Sequence, residues 1–153
     1  LTFAQGIDWF PLWTPDGRRI VFSSAGDGGS LDLFWMPADG TGKPERLTSG
    51  DLHYATGVSP DGKEVVFHQN TQTARGDLLN VSLEGDHRVQ PLLQTPFDEL
   101  EGTISPDGRW IAYESDSSGR NEIYVRPFPA VASGQWQVST AGGRRPLWAR
   151  DGR

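Results

Sequence analysis

Acidic and histidine side chains are the residues of this 153-residue sequence that could do chemistry together. Carboxylates and an imidazole gathered at one opening would bind a cationic peptide, and the same groups are ligands for metal ions. Five of them fall in segments that we expect to share one face of the fold: Asp8, Asp51, His53, Asp98 and Glu99. The competing interpretation is that they are solvated loop tips. The sequence therefore offers a candidate binding site rather than a defined reaction.

The spacing of the reactive residue types argues against catalysis. The three histidines, His53, His68 and His87, are separated by 15 and 19 residues, which fits no common metal-ligand spacing. No Gly-x-Ser-x-Gly nucleophile motif occurs. The glycine-rich stretch 26–29 precedes a predicted strand, whereas a phosphate loop leads into a helix. We therefore expect no catalytic residue, no metal and no cofactor.

The tripeptide Pro-Asp-Gly recurs at a nearly fixed interval and organises the sequence. It occupies 15–17, 60–62 and 106–108, and Arg-Asp-Gly at 150–152 is a degraded fourth copy. A period of about 40–45 residues is typical of one four-stranded propeller blade. We assign six residues to structural turns: Asp16, Gly17, Asp61, Gly62, Asp107 and Gly108.

Each repeat contains four short apolar runs bounded by Gly, Pro, Asp or Ser. Such runs predict strands, and no segment has the periodicity of an amphipathic helix. Proline, aspartate and glycine suit successive positions of a hairpin turn, which would join the first two strands of a blade. The predicted fold class is all-β, with β-propeller blades of four antiparallel strands, about three blades, or half of a six-bladed propeller. Trp13 and Trp148 align with Val58 and Ile104, which predicts that both tryptophans lie in the core.

The phase of the repeat predicts three blades with a partial blade at each end. Blade 1 spans 4–48, blade 2 spans 49–94 and blade 3 spans 95–140, while 1–3 end a preceding blade and 141–153 begin a further one. Open blade edges are liabilities, and closed propellers have about 4–8 blades. We therefore expect a two-fold homodimer that completes a six-bladed ring. Because each chain carries more than three repeats, a strand near 9–13 or 146–148 should be displaced on closure.

The composition limits the partners of the protein. The net charge is −6 and the isoelectric point is about 4.9, which argues against nucleic acid, because affinity for phosphates needs clustered basic residues. No apolar run approaches 18 residues, so we expect no membrane insertion. Composition alone leaves the cellular location unknown.

The repeat resembles the TolB-like, WD-type propeller family of bacteria. The resemblance is carried by Ser105-Pro106-Asp107-Gly108-Arg109, which is followed by Trp110-Ile111-Ala112-Tyr113 and by Glu122-Ile123-Tyr124. A narrower resemblance, on 33–40, 121–129 and 136–140, is to the propeller attached to bacterial serine/threonine protein kinases. That resemblance implies a non-catalytic module for protein or peptide binding or ligand sensing, within a larger protein on the periplasmic or extracytoplasmic side.

Other members of the same propeller class imply a different function. Some related propellers gate the active site of prolyl-oligopeptidase-like peptidases, and others are metal-dependent lyases. The alternative hypothesis is therefore that the chain is the propeller domain of an enzyme.

Overall fold

The computed structural model describes residues 7–26, 29–71 and 75–152, and these form three four-stranded antiparallel sheets. Blade 1 contains β1 (Asp8–Trp13), β2 (Arg19–Ser24), β3 (Asp32–Pro37) and β4 (Glu45–Arg46). Blade 2 contains β5 (Leu52–Val58), β6 (Glu64–Asn70), β7 (Asp77–Ser82) and β8 (Val89–Leu93). Blade 3 contains β9 (Glu99–Ile104), β10 (Trp110–Ser115), β11 (Glu122–Pro127) and β12 (Trp136–Gln137), with a 3₁₀ turn at Val131–Ser133. The predicted all-β fold of about three blades is confirmed.

The Pro-Asp-Gly turns join the first two strands of every blade. In blade 2, Gly62 N donates to Ser59 O at 2.8 Å, and Gly62 has a φ of 72°, a conformation that glycine adopts without steric cost. Asp61 Oδ1 accepts hydrogen bonds from Ser59 Oγ at 2.6 Å and from Lys63 N at 3.1 Å. The equivalent bonds form around Asp16 and Asp107. Each aspartate therefore fixes its own turn, and these hydrogen bonds lower the pKa of all three carboxyl groups.

The core lies between the blades, because alternate residues of each strand point to opposite faces of its sheet. Between blades 1 and 2 the buried cluster contains Val21, Leu33, Trp35, Leu47, Ala55, Val65, Phe67, Leu79, Val81 and Leu83. Between blades 2 and 3 it contains Val66, Leu78, Leu93, Ile104, Ile111, Tyr113 and Tyr124. We call the face of a blade that packs on the next blade its trailing face.

Antiparallel topology brings two kinds of connection to one end of the sheets. The segments between the second and third strands leave at this end, as do the segments that lead from one blade to the next. We call it the loop face and call the opposite end, with the Pro-Asp-Gly turns, the turn face. Successive blades are also joined by backbone hydrogen bonds at the loop face, from His53 N to Leu31 O and from Glu99 N to Gly76 O, both at 2.7 Å.

The segment 141–152, predicted as the first strand of a further blade, contains no strand in the structure. It nevertheless follows the path of one, because Gly143 N donates to Asn121 O at 2.9 Å, at the position equivalent to His53 and Glu99. Gly152 N also closes the turn onto Ala149 O at 2.9 Å. In the three complete blades, the second strand follows the turn glycine and pairs with the first strand. Residues 1–3, predicted to end a preceding blade, lie outside the described residues.

The predicted core position of Trp13 is wrong, because 60% of Trp13 is exposed. Its equivalents Val58 and Ile104 pack against the preceding blade, and the described residues place no blade before β1. Trp148 is half-buried. Across the described segments, no helix has the length and apolar character needed to cross a membrane.

Candidate functional site

Three of the five predicted binding residues occupy the same position in successive blades. Asp8, His53 and Glu99 are each the ninth residue before a turn glycine, at or next to the start of the blade's first strand. They therefore lie one to a blade, on the first strand of each, and do not form one cluster. Among the residues that the structure describes, no three His, Cys, Asp or Glu side chains are close enough to hold a metal ion.

His53 is buried beneath the loop face, with only 5% of the residue exposed. Its Nδ1 lies 2.9 Å from Thr48 Oγ1 and 3.4 Å from Asp32 Oδ1. Arg46 bonds the other carboxylate oxygen of Asp32. Burial lowers the pKa of His53, and the carboxylates of Asp32 and Asp51 oppose that shift only in part. At neutral pH His53 is an uncharged member of an internal network that joins blade 1 to blade 2.

Glu99 has the equivalent place between blades 2 and 3, and only 2% of the residue is exposed. Thr95 donates to it twice, from its hydroxyl to Oε1 and from its backbone N to Oε2 at 3.3 Å. Burial raises the pKa of Glu99, because a carboxylate is less stable away from water, and nearby Asp77 raises it further. A ligand at the loop face would reach Glu99 only after the loop 94–98 moved.

Asp51 and Asp8 differ in their surroundings. Asp51 is exposed and accepts a hydrogen bond from Gln69 Nε2 at 2.7 Å. Asp8 is half-buried, and its Oδ1 is buried without a hydrogen-bond partner among the described residues. An unpaired buried carboxylate oxygen is costly.

Asp98 belongs to a polar bridge across the loop face, which we call the loop bridge and define as Arg75, Asp98 and Asp116. Arg75 Nη1 lies 2.5 Å from Asp116 Oδ2 and 3.9 Å from Asp98 Oδ2. Asp98 N donates to Asp116 Oδ1 at 3.0 Å, and Gly76 N donates to Asp98 Oδ1 at 2.9 Å. One arginine thus ties three loops from blades 2 and 3. Sequence reasoning missed Arg75 and Asp116, which are 41 residues apart.

Three residues at the same place in the repeat share an unusual backbone conformation. Phe10, Glu101 and Arg145 have φ values of 54°, 54° and 52°, and each is the seventh residue before a turn glycine. A β-bulge in β1 and in β9 accommodates the extra residue at Phe10 and at Glu101. The positive φ recurs in blades 1 and 3 and in the segment 141–152 but not at Ala55, the equivalent residue of blade 2, so it does not by itself mark a site. Burial raises the pKa of Glu101, which Arg145 opposes.

Aromatic rings from β1, β5 and β6 contact one another across blades 1 and 2. Phe10 contacts Tyr54 edge to face at 5.7 Å between centroids, and Tyr54 stacks on His68 at 4.7 Å. His68 is only 6% exposed and its Nδ1 has no hydrogen-bond partner among the described residues. Burial lowers the pKa of His68 to about 4, so the ring is neutral near pH 7.

The repeat, the four-stranded blades and their order agree with one known family. The sequence profile of the TolB beta propeller domain family matches residues 1–149. The chain belongs to this family. The TolB protein of the Tol-Pal system from Francisella tularensis is 31% identical over 119 residues, which are 75% of this chain and 26% of that protein. The uncharacterized peptidase YuxL of Bacillus subtilis is 23% identical over 159 aligned residues, covering 75% of this chain and 24% of the peptidase.

A solved structure of a candidate TolB protein from Agrobacterium tumefaciens shares the fold of this TolB propeller domain. The two superpose with a TM-score of 0.86 at 23% identity, over 99% of this chain and 53% of the other. The chain therefore spans about half the length of this solved relative and about a quarter of the two curated relatives. Family membership establishes the propeller fold, and the relatives named here are bacterial. The activity of the whole protein does not follow from the fold, because propellers host many unrelated functions.

Proposed function

We propose that this TolB propeller domain is a non-catalytic module that binds a cationic protein or peptide at its loop face, within a longer bacterial protein outside the cytoplasm. The observation that carries the proposal is the loop bridge. Arg75 holds Asp98 and Asp116 in fixed positions, so the loops of two blades form one surface before a partner arrives. Preorganised loops lose less conformational entropy on binding than mobile ones.

The charge of this surface supports a cationic partner. In the loop bridge one guanidinium faces two carboxylates, of which Asp98 has 37% of its side chain exposed and Asp116 has 25%. Exposed Asp51 adds a third carboxylate on the same face. With a net charge of −6 on the chain, a lysine- or arginine-rich segment would be attracted over some distance at low salt.

The internal hydrogen bonds support a binding role over catalysis. Thr95 occupies both carboxylate oxygens of Glu99, and Thr48 and Asp32 flank Nδ1 of His53. A general acid or base must reach the substrate proton. Within the described part of the chain, these two buried groups face protein atoms and stabilise blade boundaries.

The parent protein in this proposal is a sensor, by resemblance to the propellers joined to bacterial serine/threonine kinases. The extracytoplasmic location rests on the same resemblance. A kinase domain encoded on the N-terminal side of the propeller would support it.

The second candidate is the gating domain of a peptidase, and the observation that favours it is the relation to the peptidase YuxL. A hydrolase domain encoded on the C-terminal side would support that candidate. The metal-dependent lyase alternative has less support, since the described residues bring no group of three metal-binding side chains together.

The test is a binding titration with a short lysine- and arginine-rich peptide and its Asp/Glu-substituted counterpart, followed by fluorescence anisotropy. We expect the cationic peptide to bind, and the double variant Asp98→Asn/Asp116→Asn to weaken binding by about three- to tenfold. Glu84→Gln/Asp86→Asn is the matched control, because it also removes two exposed charges, from the loop between β7 and β8 at the turn face. Equal binding of both peptides, or an equal loss in the control, would contradict the proposal.

A further inference from the structure

A cavity of about 510 Å³ lies at the turn face, where blade 2 packs on the trailing face of blade 1. Its volume is within the range of small-molecule sites, about 300–1,000 Å³. Charged side chains of both signs line it, namely Asp16, Arg18 and Arg19 from blade 1 and Asp61 and Glu84 from blade 2. Because the cavity is formed by two blades that already contact each other, further blades at either end of the chain would not cover it.

Arg19 is held in this cavity by an aromatic neighbour. Its guanidinium carbon lies 3.7 Å from the ring centroid of Trp35. Trp35 Nε1 donates to Glu45 Oε2 at 2.8 Å, and His87 Nε2 lies 3.2 Å from Glu45 Oε1. The ring of His87 also meets Trp35 edge to face, at 5.7 Å between centroids. Residues of both blades therefore position the arginine before any ligand arrives.

The hydrogen-bond donors of Arg19 are unused. Apart from the stacking on Trp35, its side chain makes no hydrogen bond or ion pair with any residue that the structure describes. A guanidinium carries five N–H donors in a planar fork that matches a carboxylate, and stacking on a ring leaves the edge of that fork free. Arg19 is therefore a preformed partner for a carboxylate group.

The turn aspartates of the cavity each have an open oxygen. Asp61 uses Oδ1 within its own turn, and Asp16 does the same. Neither Oδ2 has a partner among the described residues. In the turn of blade 3, by contrast, Asp107 Oδ2 accepts from Arg109 Nε at 2.7 Å. The cavity between blades 1 and 2 thus combines a free guanidinium on one blade with a free carboxylate oxygen on the other.

We propose that this cavity binds a free α-amino acid with an apolar side chain, whose carboxylate pairs with Arg19 and whose ammonium group bonds Asp61. Pro15, Pro60 and Leu83 line the same cavity and offer apolar contacts to the side chain. The site lies at the opposite end of the sheets from the loop bridge, so this inference is independent of the peptide-binding proposal.

A zwitterion fits the charges of the cavity better than a simple anion does. Arg18 and Arg19 share it with three carboxylates, those of Asp16, Asp61 and Glu84. Like charges placed next to each other are costly, so a phosphate dianion would be repelled by these acids. An amino acid brings one carboxylate for the guanidinium and one ammonium group for the acids.

The next blade boundary has an equivalent cavity without these features. It has a volume of about 400 Å³ and lies between blades 2 and 3. Glu64 and Asn80 stand at the repeat positions of Arg19 and Trp35. Lys63 is the basic residue that lines this second cavity, and Glu64 lines it as well. We therefore expect an amino acid to bind between blades 1 and 2 and not between blades 2 and 3.

The test is a titration with L-leucine, followed by NMR of the tryptophan indole N–H groups. The Trp35 signal is assigned from Trp35→Phe, and we expect it to shift and saturate. L-Leucinamide lacks the carboxylate, and 4-methylpentanoate lacks the ammonium group. Each should bind about fivefold more weakly than leucine, the upper range for one solvent-accessible ion pair.

Two variants, each with a control from another blade, test the two halves of the site. Arg19→Gln should weaken leucine binding about fivefold and abolish the preference over leucinamide. Arg109→Gln is its control, because it removes an exposed turn-face arginine outside the cavity. Asp61→Asn keeps the oxygen that accepts within the turn and should abolish the preference over 4-methylpentanoate. Asp107→Asn is its control, in the turn of blade 3.

Several outcomes would overturn the proposal. They are a Trp35 signal that leucine does not shift, equal binding of leucine and leucinamide, and equal effects of Arg19→Gln and Arg109→Gln. Inorganic phosphate that binds as tightly as leucine would show a plain anion site instead. If circular dichroism shows Arg19→Gln to be unfolded, the comparison of the three ligands on the unaltered protein decides. The variant Asp98→Asn/Asp116→Asn should bind leucine normally, which separates this site from the loop face.

Discussion

The position at or just after the end of the fourth strand differs among the blades. Blades 1 and 3 have a hydroxyl residue there, next to an acid, whereas blade 2 has an apolar residue. In blade 1, Leu33 N donates to Thr48 Oγ1 at 2.9 Å, and in blade 3, Ile123 N donates to Ser139 Oγ at 2.8 Å. Leu93 stands at this position in blade 2 and packs in the core. The blade fold therefore tolerates either solution.

The blades also differ in the burial and pairing of the acid that begins the third strand. Asp32 and Glu122, which begin the third strands of blades 1 and 3, are buried and paired with arginines. Their equivalent Asp77 is only half-buried and accepts from Gln94 Nε2 at 3.2 Å. Within the described segments, Asp77 bonds to the amide of Gln94, and Arg75, two residues before it, pairs with Asp116 instead.

Removing the acid of blade 1 should therefore cost far more than removing the acid of blade 2. Asp32→Ala leaves Ser30, His53 and Arg46 without their shared carboxylate, and we expect a loss of about 3 kcal/mol in the free energy of unfolding. Asp77→Ala should cost less than about 1 kcal/mol. Urea unfolding at pH 7 measures both, and equal losses would show that the buried network contributes nothing specific.

Blade 2 also differs in having His68 where blade 1 has Ser23. The ordinary pKa of a histidine is 6.5 and that of folded His68 is about 4. The unfolded chain therefore takes up the proton first as the pH falls. The contribution of neutral His68 is complete above pH 6.5 and is lost as the pH falls towards 4. We expect the free energy of unfolding to drop by about 2 kcal/mol between pH 7 and pH 5 through this residue.

The control for that prediction is His68→Ser, which gives blade 2 the residue of blade 1. Urea unfolding at both pH values should show a shallower decrease in the variant than in the wild type. Some decrease should remain, because burial also lowers the pKa of His53. A decrease of the same size in both proteins would assign the pH dependence elsewhere.

The fold could be predicted because its signals are local. A Pro-Asp-Gly turn needs only its own residues and the hydroxyl two positions before the aspartate, as at Thr14, Ser59 and Ser105. The site could not be predicted to the same depth. The burial of His53 and Glu99 depends on the adjoining blade, and the loop bridge joins residues 41 positions apart. Trp13 was misplaced for the same reason, since a core position requires a neighbouring blade.

The smallest effect is expected from removing the hydroxyl of Thr48 while the acid of blade 1, Asp32, is kept. Thr48→Val keeps the volume of the side chain and removes the acceptor for Leu33 N and the contact with His53 Nδ1. A buried donor left without its partner costs about 1–2 kcal/mol, so the free energy of unfolding should fall by that amount. Thr48→Ser keeps the hydroxyl and should recover most of the loss. If valine is tolerated as well as serine, then blade 1 closes as blade 2 does with Leu93, and the hydroxyl is dispensable for the propeller fold.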